Sequence, residues 1–263
     1  MKQIAIQEIL RNEQLAPGVH LLEIRRPADP EPVLPGQFYN LQAGEGAYPL
    51  LRRPISVSRV TADTLQFVIF LKGEGTRLLA AKKAGETLNL MGPFGNGYTL
   101  PERGGRHLVL AGGIGVAPQQ ELVAALARRQ PEALTALIGF RSAPYALDIY
   151  QEACTQLQIA TEDGSAGHHG TLAAPLAVLL DDGPWDMVYA CGPHGMLKAV
   201  AEACNGRGIP VQLLMEERMA CGIGACLVCA CKIKSQDTPE GYANVRTCKE
   251  GPVFTGTEVI FHA

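Results

Sequence analysis

The chain has 263 residues, 47% hydrophobic and 19% charged, with a formal net charge of -3 at pH 7. That composition can fill a real core, which excludes a disordered or fibrous chain, and the slight acidic excess gives no electrostatic reason to expect nucleic acid or an anionic membrane surface as a partner. Five of the eight cysteines (Cys221, Cys226, Cys229, Cys231 and Cys248) fall close to the end of the chain, a clustering that points to metal binding and away from a disulfide scaffold.

This length is enough for two ordinary domains, or two and a small appendage, and leaves a single domain open. Residues 1–10 are broken by Gln3, Gln7 and Glu8, which removes the apolar core a signal peptide needs. No run approaches the roughly 20 apolar residues of a membrane span, so a soluble, cytoplasmic protein is expected. Short extended segments broken by Pro and Gly follow at 20–24, 37–41, 55–60, 64–71 and 87–91. Such punctuation predicts an antiparallel barrel or sandwich.

A polar, Gly-rich stretch over 101–106 marks the first boundary. Strands then alternate with helices: an apolar strand over 107–111, a helix over 118–129, a strand over 134–140, further helical stretches and a strand over 187–190. Over 194–204, Met196, Leu197, Val200, Ala201 and Cys204 fall at three- and four-residue spacings and make one apolar helical face. The alternation predicts a parallel sheet covered by helices. A strand over 211–215 closes this unit, giving domains over 1–101, 102–215 and 216–263.

Cys221, Cys226 and Cys229 are separated by four and two residues, Gly222 and Gly224 lie in the first gap, and Cys248 follows after eighteen more. This is the ligand spacing of plant-type 2Fe-2S ferredoxins. A short loop must wrap iron while its amides point at the sulfurs, and glycine lets the backbone come that close. Cys231 competes with Cys248 as fourth ligand. It opens an extended stretch over 231–234 only two residues after Cys229, where its side chain is expected to crowd the same iron, so Cys248 is preferred. A strand-like, alternating end over 253–261 follows. The competing reading is a structural zinc site with four thiolates; zinc ribbons carry two short cysteine pairs, and this chain has one.

After the strand over 107–111, Gly112-Gly113-Ile114-Gly115-Val116-Ala117-Pro118 leads into a helix. Glycines at a strand end let backbone approach a pyrophosphate, and the helix N-terminus supplies amide donors. Cys191-Gly192-Pro193 repeats the arrangement. Strand, turn and helix also arise without a ligand, but two such turns at the carboxyl ends of a parallel sheet favour a nucleotide crevice. Asp163-Gly164-Ser165, with Gly167 and Gly170, either borders that crevice or is a solvated loop.

In the first domain, Arg52-Arg53-Pro54-Ile55-Ser56-Val57 places a guanidinium and a hydroxyl on one extended stretch, suited to the pyrophosphate and ring edge of a flavin nucleotide. An Arg-Pro pair at a strand start is also commonly structural. Gly73-Glu74-Gly75-Thr76 opens a helix expected to run through Lys83, with its first amides free for the same phosphates.

In this order the motifs resemble the ferredoxin-NADP reductase superfamily over essentially residues 1–215. The tail, Met219-Ala220-Cys221-Gly222-Ile223-Gly224-Ala225-Cys226 with Cys229, and Cys248 before Glu250-Gly251-Pro252-Val253-Phe254, is similar to the electron-transfer subunits of B-type, NAD-linked dihydroorotate dehydrogenases. The resemblance implies a multidomain fold: an antiparallel β-barrel binding FAD, an α/β parallel-sheet domain binding NAD, and a small C-terminal 2Fe-2S domain. By position it implies that Arg53, Pro54, Ile55 and Ser56, the backbone of Val68, Ile69 and Phe70, and Gly75 with Thr76 contact FAD. Gly113, Gly115, Cys191 and Gly192 would line the NAD crevice, and Cys221, Cys226, Cys229 and Cys248 would hold the cluster. The gap of eighteen residues before Cys248 is longer than the family pattern leads one to expect.

The resemblance further implies an FMN-containing catalytic partner that oxidises dihydroorotate in pyrimidine biosynthesis, in an assembly of two of each subunit. Cofactors would carry the chemistry, and His168, His169 and His194 are expected to be surface or turn residues. Two other readings compete. One is a reductase subunit of a transhydrogenase or sulfur-reducing hydrogenase, which shares the reductase body; the cysteine loop with its Gly-Pro-Val-Phe sequel favours the dihydroorotate enzyme. The other is a zinc-stabilised regulatory module that binds nucleotide without turnover.

Overall fold

The computed structural model describes residues 3–28, 32–44, 46 and 48–261. Strands β1 (Gln3–Ala16), β2 (Val19–Arg25), β3 (Phe38–Leu41), β4 (Arg53–Ser56), β5 (Arg59–Val60), β6 (Thr64–Phe70) and β7 (Thr87–Phe94) form a seven-stranded antiparallel sheet in the order β4-β3-β7-β1-β2-β6-β5. Its two edge strands are consecutive in the chain. Between them Val57 N–H donates to Gln37 O at 3.0 Å and Ser58 N–H donates to Gln66 O of β6 at 2.8 Å. The segment predicted as one strand over 55–60 therefore crosses from one edge to the other and closes the sheet into a barrel. Leu22, Tyr39, Leu41, Phe67 and Leu90 fill the inside, joined by Leu79 of α1 (Glu74–Ala81).

The longest strand, β1, is not predicted by periodicity. Over its first half the usual pattern is inverted: the outward Ile4 and Ile6 are 61% and 64% exposed, whereas the inward positions hold Ala5 and Gln7.

The second sheet is built as the alternation predicts. Strands β8 (Arg106–Gly112), β9 (Ala133–Phe140), β10 (Gln156–Thr161), β11 (His168–His169), β12 (Met187–Cys191) and β13 (Val211–Leu214) run parallel in the order β11-β10-β9-β8-β12-β13. The chain moves outward from β8 on one side and returns to its other side, so the order reverses between β8 and β12. Leu108, Val109, Leu110 and Ala111 are all buried because both faces are covered. Helices α2 (Val116–Ala127) and α3 (Asp148–Ala153) pack on one face, α4 (Ala173–Asp181) and α5 (His194–Asn205) on the other. The α5 stripe of Leu197, Val200, Ala201 and Cys204 is buried as its spacing requires.

The cysteine-rich portion contributes a hairpin of β14 (Ala230–Lys234) and β15 (Tyr242–Arg246), then β16 (Val253–Thr255), which pairs antiparallel with β13 and extends the second sheet. The end predicted as strand-like over 253–261 is a strand only over β16. At Gly256 a Cβ would stand 2.3 Å from Val211 Cγ1, and Glu258 N–H donates to Thr255 O at 3.1 Å, so the chain turns there.

Helix α2 fastens the barrel to the parallel sheet. Ser58 Oγ donates to Ala117 O at 3.0 Å and Val60 N–H donates to Glu121 Oε2 at 2.9 Å. Glu121 is only 4% exposed, and its other oxygen accepts from Arg128 Nη2 at 2.9 Å. Replacing it strands a partly buried donor, so Glu121→Ala is expected to lower stability by about 1–3 kcal/mol in urea denaturation, with Glu121→Gln recovering most of the loss. An unchanged midpoint in Glu121→Ala would show that this contact does not hold the seam.

Candidate functional site

Arg53, Pro54, Ile55 and Ser56 make up β4 and are all half-buried. The first turn of α1 lies over the start of this strand. A Cβ on Gly75 would stand 1.9 Å from Arg53 Nε, so glycine is what lets the guanidinium lie across the helix N-terminus. The first amides of a helix have no intrahelical acceptor, and with the guanidinium, which also donates to Leu51 O, they make a cradle of the kind that suits a phosphate. The Thr76 hydroxyl is engaged in the turn, donating to Gly73 O at 2.9 Å and accepting from Lys72 N–H at 3.0 Å. Its backbone remains for a ligand. Arg52 is structural: its Nη2 donates to Asn89 Oδ1 at 2.8 Å. On β6, Val68 is buried at the seam between the domains with Val19, Leu21 and Ala117, Ile69 belongs to the barrel core, and Phe70 is exposed.

The two glycine turns meet at the carboxyl ends of β8 and β12, where the strand order reverses. A Cβ on Gly115 would fall 2.3 Å from Cys191 O, so glycine is required there, and one on Gly192 would press on Gly112 Cα and N at 3.1 Å, so the two turns pack closely backbone to backbone. Gly113, at φ 54°, faces open space, where a Cβ would meet nothing within 4 Å. No side chain caps the N-terminus of either α2 or α5; at α2 the first amide, of Val116, donates to Gly113 O in the preceding turn. Burial pushes the Cys191 thiol well above its ordinary value, so the crevice wall there is neutral. The Asp163 segment follows β10 at the same end of the sheet, and Asp163 Oδ1 accepts from Ser165 N–H at 2.9 Å within its own turn. His168 and His169 are exposed, and the His194 ring lies edge-on to Phe261 at 5.1 Å.

The cysteine loop sits on the outer face of β3. Cys229 and Cys248 pack with Phe38, Phe94 and Met219, and Asn40 Nδ2 lies 3.5 Å from the carbonyl oxygens of both Cys221 and Gly222. Gly222 and Gly224, at φ 64° and 85°, bend the loop so that three amides, of Ile223, Ala225 and Cys226, donate to Cys221 Sγ at 3.5, 3.3 and 3.4 Å. Burial raises the Cys221 thiol, but these donors and Cys226 outweigh it and hold it at about 6. Cys248 is pushed up to about 12 by burial and then by the Cys229 thiol beside it. Cys226 Sγ in turn accepts from Cys221 N–H at 3.5 Å, and Cys229 and Cys248 share one packed cluster, so the thiols form two couples. Among the described residues no three His, Cys, Asp or Glu side chains gather for a single ion. Four thiolates in two couples, with amides aimed at sulfur, are the donor set a two-iron cluster takes. Leu227 holds φ 61° while 63% exposed, a left-handed conformation that costs a leucine roughly 1 kcal/mol.

Cys231 turns away from the other four. It is buried with Val211, Phe254 and Val259 in the core of the second sheet, and Thr247 Oγ1 donates to its sulfur at 3.6 Å.

Two residues at this site escape sequence reasoning. Arg246 Nη1 donates to Gly224 O at 2.7 Å, and its Nε donates to Glu250 Oε2 at 3.0 Å, which bolts the first cysteine loop to the turn that carries Cys248. The bond from Arg246 holds the Glu250 carboxyl down to about 2. An Arg and a Glu four residues apart around a cysteine were the available signal. Asn40 gave none, because its partners lie 181 and 182 residues away. Through the β3–β4 register, Phe38 opposite Ser56 and Asn40 opposite Pro54, the cysteine loop and the Arg53 cradle occupy adjacent strands.

A family profile described as the iron-sulfur cluster binding domain of dihydroorotate dehydrogenase B matches residues 216–260. Along the whole chain, the dihydroorotate dehydrogenase B (NAD(+)) electron transfer subunit of Clostridium acetobutylicum is 34% identical over 261 residues, 99% of each chain. The protein of the same description from Desulforamulus reducens is 37% identical over 99% of this chain and 100% of its own, and that of Enterococcus faecalis is 38% identical over 96% of each. Among solved structures, a chain from the NADH-dependent reduced ferredoxin-NADP oxidoreductase, studied for flavin-based electron bifurcation, superimposes with a TM-score of 0.85 at 26% identity, covering 98% of this chain and 90% of that one. The ferredoxin reductase of carbazole 1,9a-dioxygenase shares the fold, with a TM-score of 0.69 at 22% identity over 81% of this chain and 69% of its own.

Proposed function

Because the chain belongs to the family of dihydroorotate dehydrogenase B (NAD(+)) electron transfer subunits, we propose that it carries electrons from an FMN-containing, dihydroorotate-oxidising catalytic subunit to NAD+, in pyrimidine biosynthesis. The observation that carries this reading is the seating of the cysteine loop on β3, one strand from the Arg53 cradle. When bound, FAD exchanges electrons in pairs with the nicotinamide and a 2Fe-2S cluster exchanges them singly.

The chain's own residues bind and position. Arg53 and the first amides of α1 take the flavin pyrophosphate, with Pro54, Ile55, Ser56 and the backbone of Val68, Ile69, Phe70 and Thr76 along the rest of the flavin. Gly113, Gly115, Cys191 and Gly192 leave the backbone bare for the nicotinamide nucleotide, and the packed seam of Val68 against Ala117 excludes water beside it. Cys221, Cys226, Cys229 and Cys248 hold the cluster. No helix among the described residues is long and apolar enough to cross a membrane, and a reducing cytoplasm suits free, clustered cysteines.

Arg53→Ala is expected to weaken FAD retention by at least about tenfold, measured as flavin per chain after gel filtration, because a charge-assisted phosphate contact is lost. Arg53→Lys should recover part of it; wild-type flavin content in Arg53→Ala would remove this side chain from the site. The likeness to the ferredoxin-NADP oxidoreductase chain supports a second reading, a subunit of that kind of complex. Reconstitution decides between them. Dihydroorotate-dependent NADH formation is expected only when this chain and the catalytic subunit are combined, in a complex whose mass corresponds to two of each. Activity confined to reduced ferredoxin and NADP+ would overturn the proposal.

A further inference from the structure

The cysteine loop leaves Ile223, Leu227 and Val228 exposed at 49%, 63% and 53%. If electrons arrive from another subunit, as the proposed function holds, that subunit must cover this rim. A stable subunit interface takes roughly 800 Å² from each partner, some 20–30 residues a side, and so short a loop cannot supply it. The strand register shows where the rest lies. On the outer barrel face Ile4 stands opposite Met91 and Ile6 opposite Asn89, Met91 in turn stands opposite Asn40, and Asn40 lies under the loop at Cys221 and Gly222. Two strand spacings, about 10 Å, separate β1 from β3. Two branched aliphatic side chains more than half exposed on a sheet's outer face, one of them in one row with an apolar loop, are the kind of surface that marks a protein contact.

Resting on that function, we propose that the outer face of the barrel around Ile4 and Ile6 is the second half of the docking surface for the catalytic subunit, continuous with the rim of the cysteine loop. This also accounts for the inverted alternation of β1: its aliphatic side chains face outward because a partner, not the barrel core, buries them. A polar strand would serve the barrel as well and dock nothing.

The test titrates the full chain, holding its flavin and iron, with the catalytic subunit in sedimentation velocity. The double variant Ile4→Glu/Ile6→Glu is expected to weaken association at least tenfold, with NADH-dependent ferricyanide reduction unchanged, while Val178→Glu, an exposed position on α4, binds as wild type. Ile4→Thr/Ile6→Thr keeps β-branched side chains in the strand and should weaken association by less; this pair decides the matter if the glutamates disturb the barrel. Wild-type affinity in that pair would then overturn the inference. Wild-type affinity in the glutamate variant alongside loss in Ile223→Glu would overturn the barrel face and leave the function standing. No binding by the unmodified chain would instead overturn the functional reading. If the unmodified chain is a dimer by itself and the glutamate variant a monomer, the face belongs to a second copy and the inference fails.

Discussion

Cys248→Ser is expected to lose the 2Fe-2S absorption and bring dihydroorotate-dependent NAD+ reduction to background, while Cys231→Ser keeps both. The reason is placement. Cys248 packs with Cys229, Phe38 and Phe94 beneath the loop, whereas Cys231 is buried in the second sheet's core with its sulfur accepting from Thr247. Removing Cys248 leaves three thiolates for a cluster that takes four, so iron and sulfide should both fall. NADH-dependent ferricyanide reduction should survive, because the Arg53 cradle and the glycine crevice do not touch Cys248. Iron and sulfide per chain, measured for both variants, check this directly. Retention of iron in Cys248→Ser together with its loss in Cys231→Ser would reverse the assignment.

Gly115→Ala should damage nucleotide binding almost as severely. The added Cβ would fall 2.3 Å from Cys191 O and 3.0 Å from Gly192 N, and both are backbone atoms that cannot rotate away. The start of α2 must then move off the β12 turn, which opens the place where the two helix N-termini converge. Overpacking of this kind costs about 1–3 kcal/mol of stability, and the KM for NADH is expected to rise at least about tenfold, since 1.4 kcal/mol of lost binding is a factor of ten. Gly195→Ala supplies the comparison: it lies in α5, and its Cβ would meet nothing within 4 Å. It should be neutral or stabilise by up to about 1 kcal/mol. Equal KM values in the two variants would show that the contact between the turns does not shape the crevice.

How much the sequence made legible depends on the range of the interactions involved. Strands β8, β9 and β12 and helix α5 were readable because their burial is written in local periodicity, and the cysteine loop because its ligands and glycines lie within nine residues, from Cys221 to Cys229. The crossing at Val57 and Ser58 was not, because it depends on Gln37, just before β3, and on Gln66 of β6. Strand β1 was hidden by outward isoleucines, and β16 is short because Gly256 must pass Val211. Around the cluster, Asn40 and Phe38 reach the cysteines from the far end of the chain. For Cys231, sequence reasoning invoked crowding against the same iron; the side chain in fact turns into another core.

The central claim, that one chain holds a flavin and a 2Fe-2S cluster in electronic contact with NADH, is tested most directly by an anaerobic NADH titration of the purified chain, followed by visible and electron paramagnetic resonance spectra with flavin, iron and sulfide quantified on the same sample. Bleaching of the flavin accompanied by a rhombic 2Fe-2S signal, at about one FAD, two irons and two sulfides per chain, is the predicted result. A colourless chain holding zinc, or a flavin that bleaches while an intact cluster stays oxidised, would contradict it.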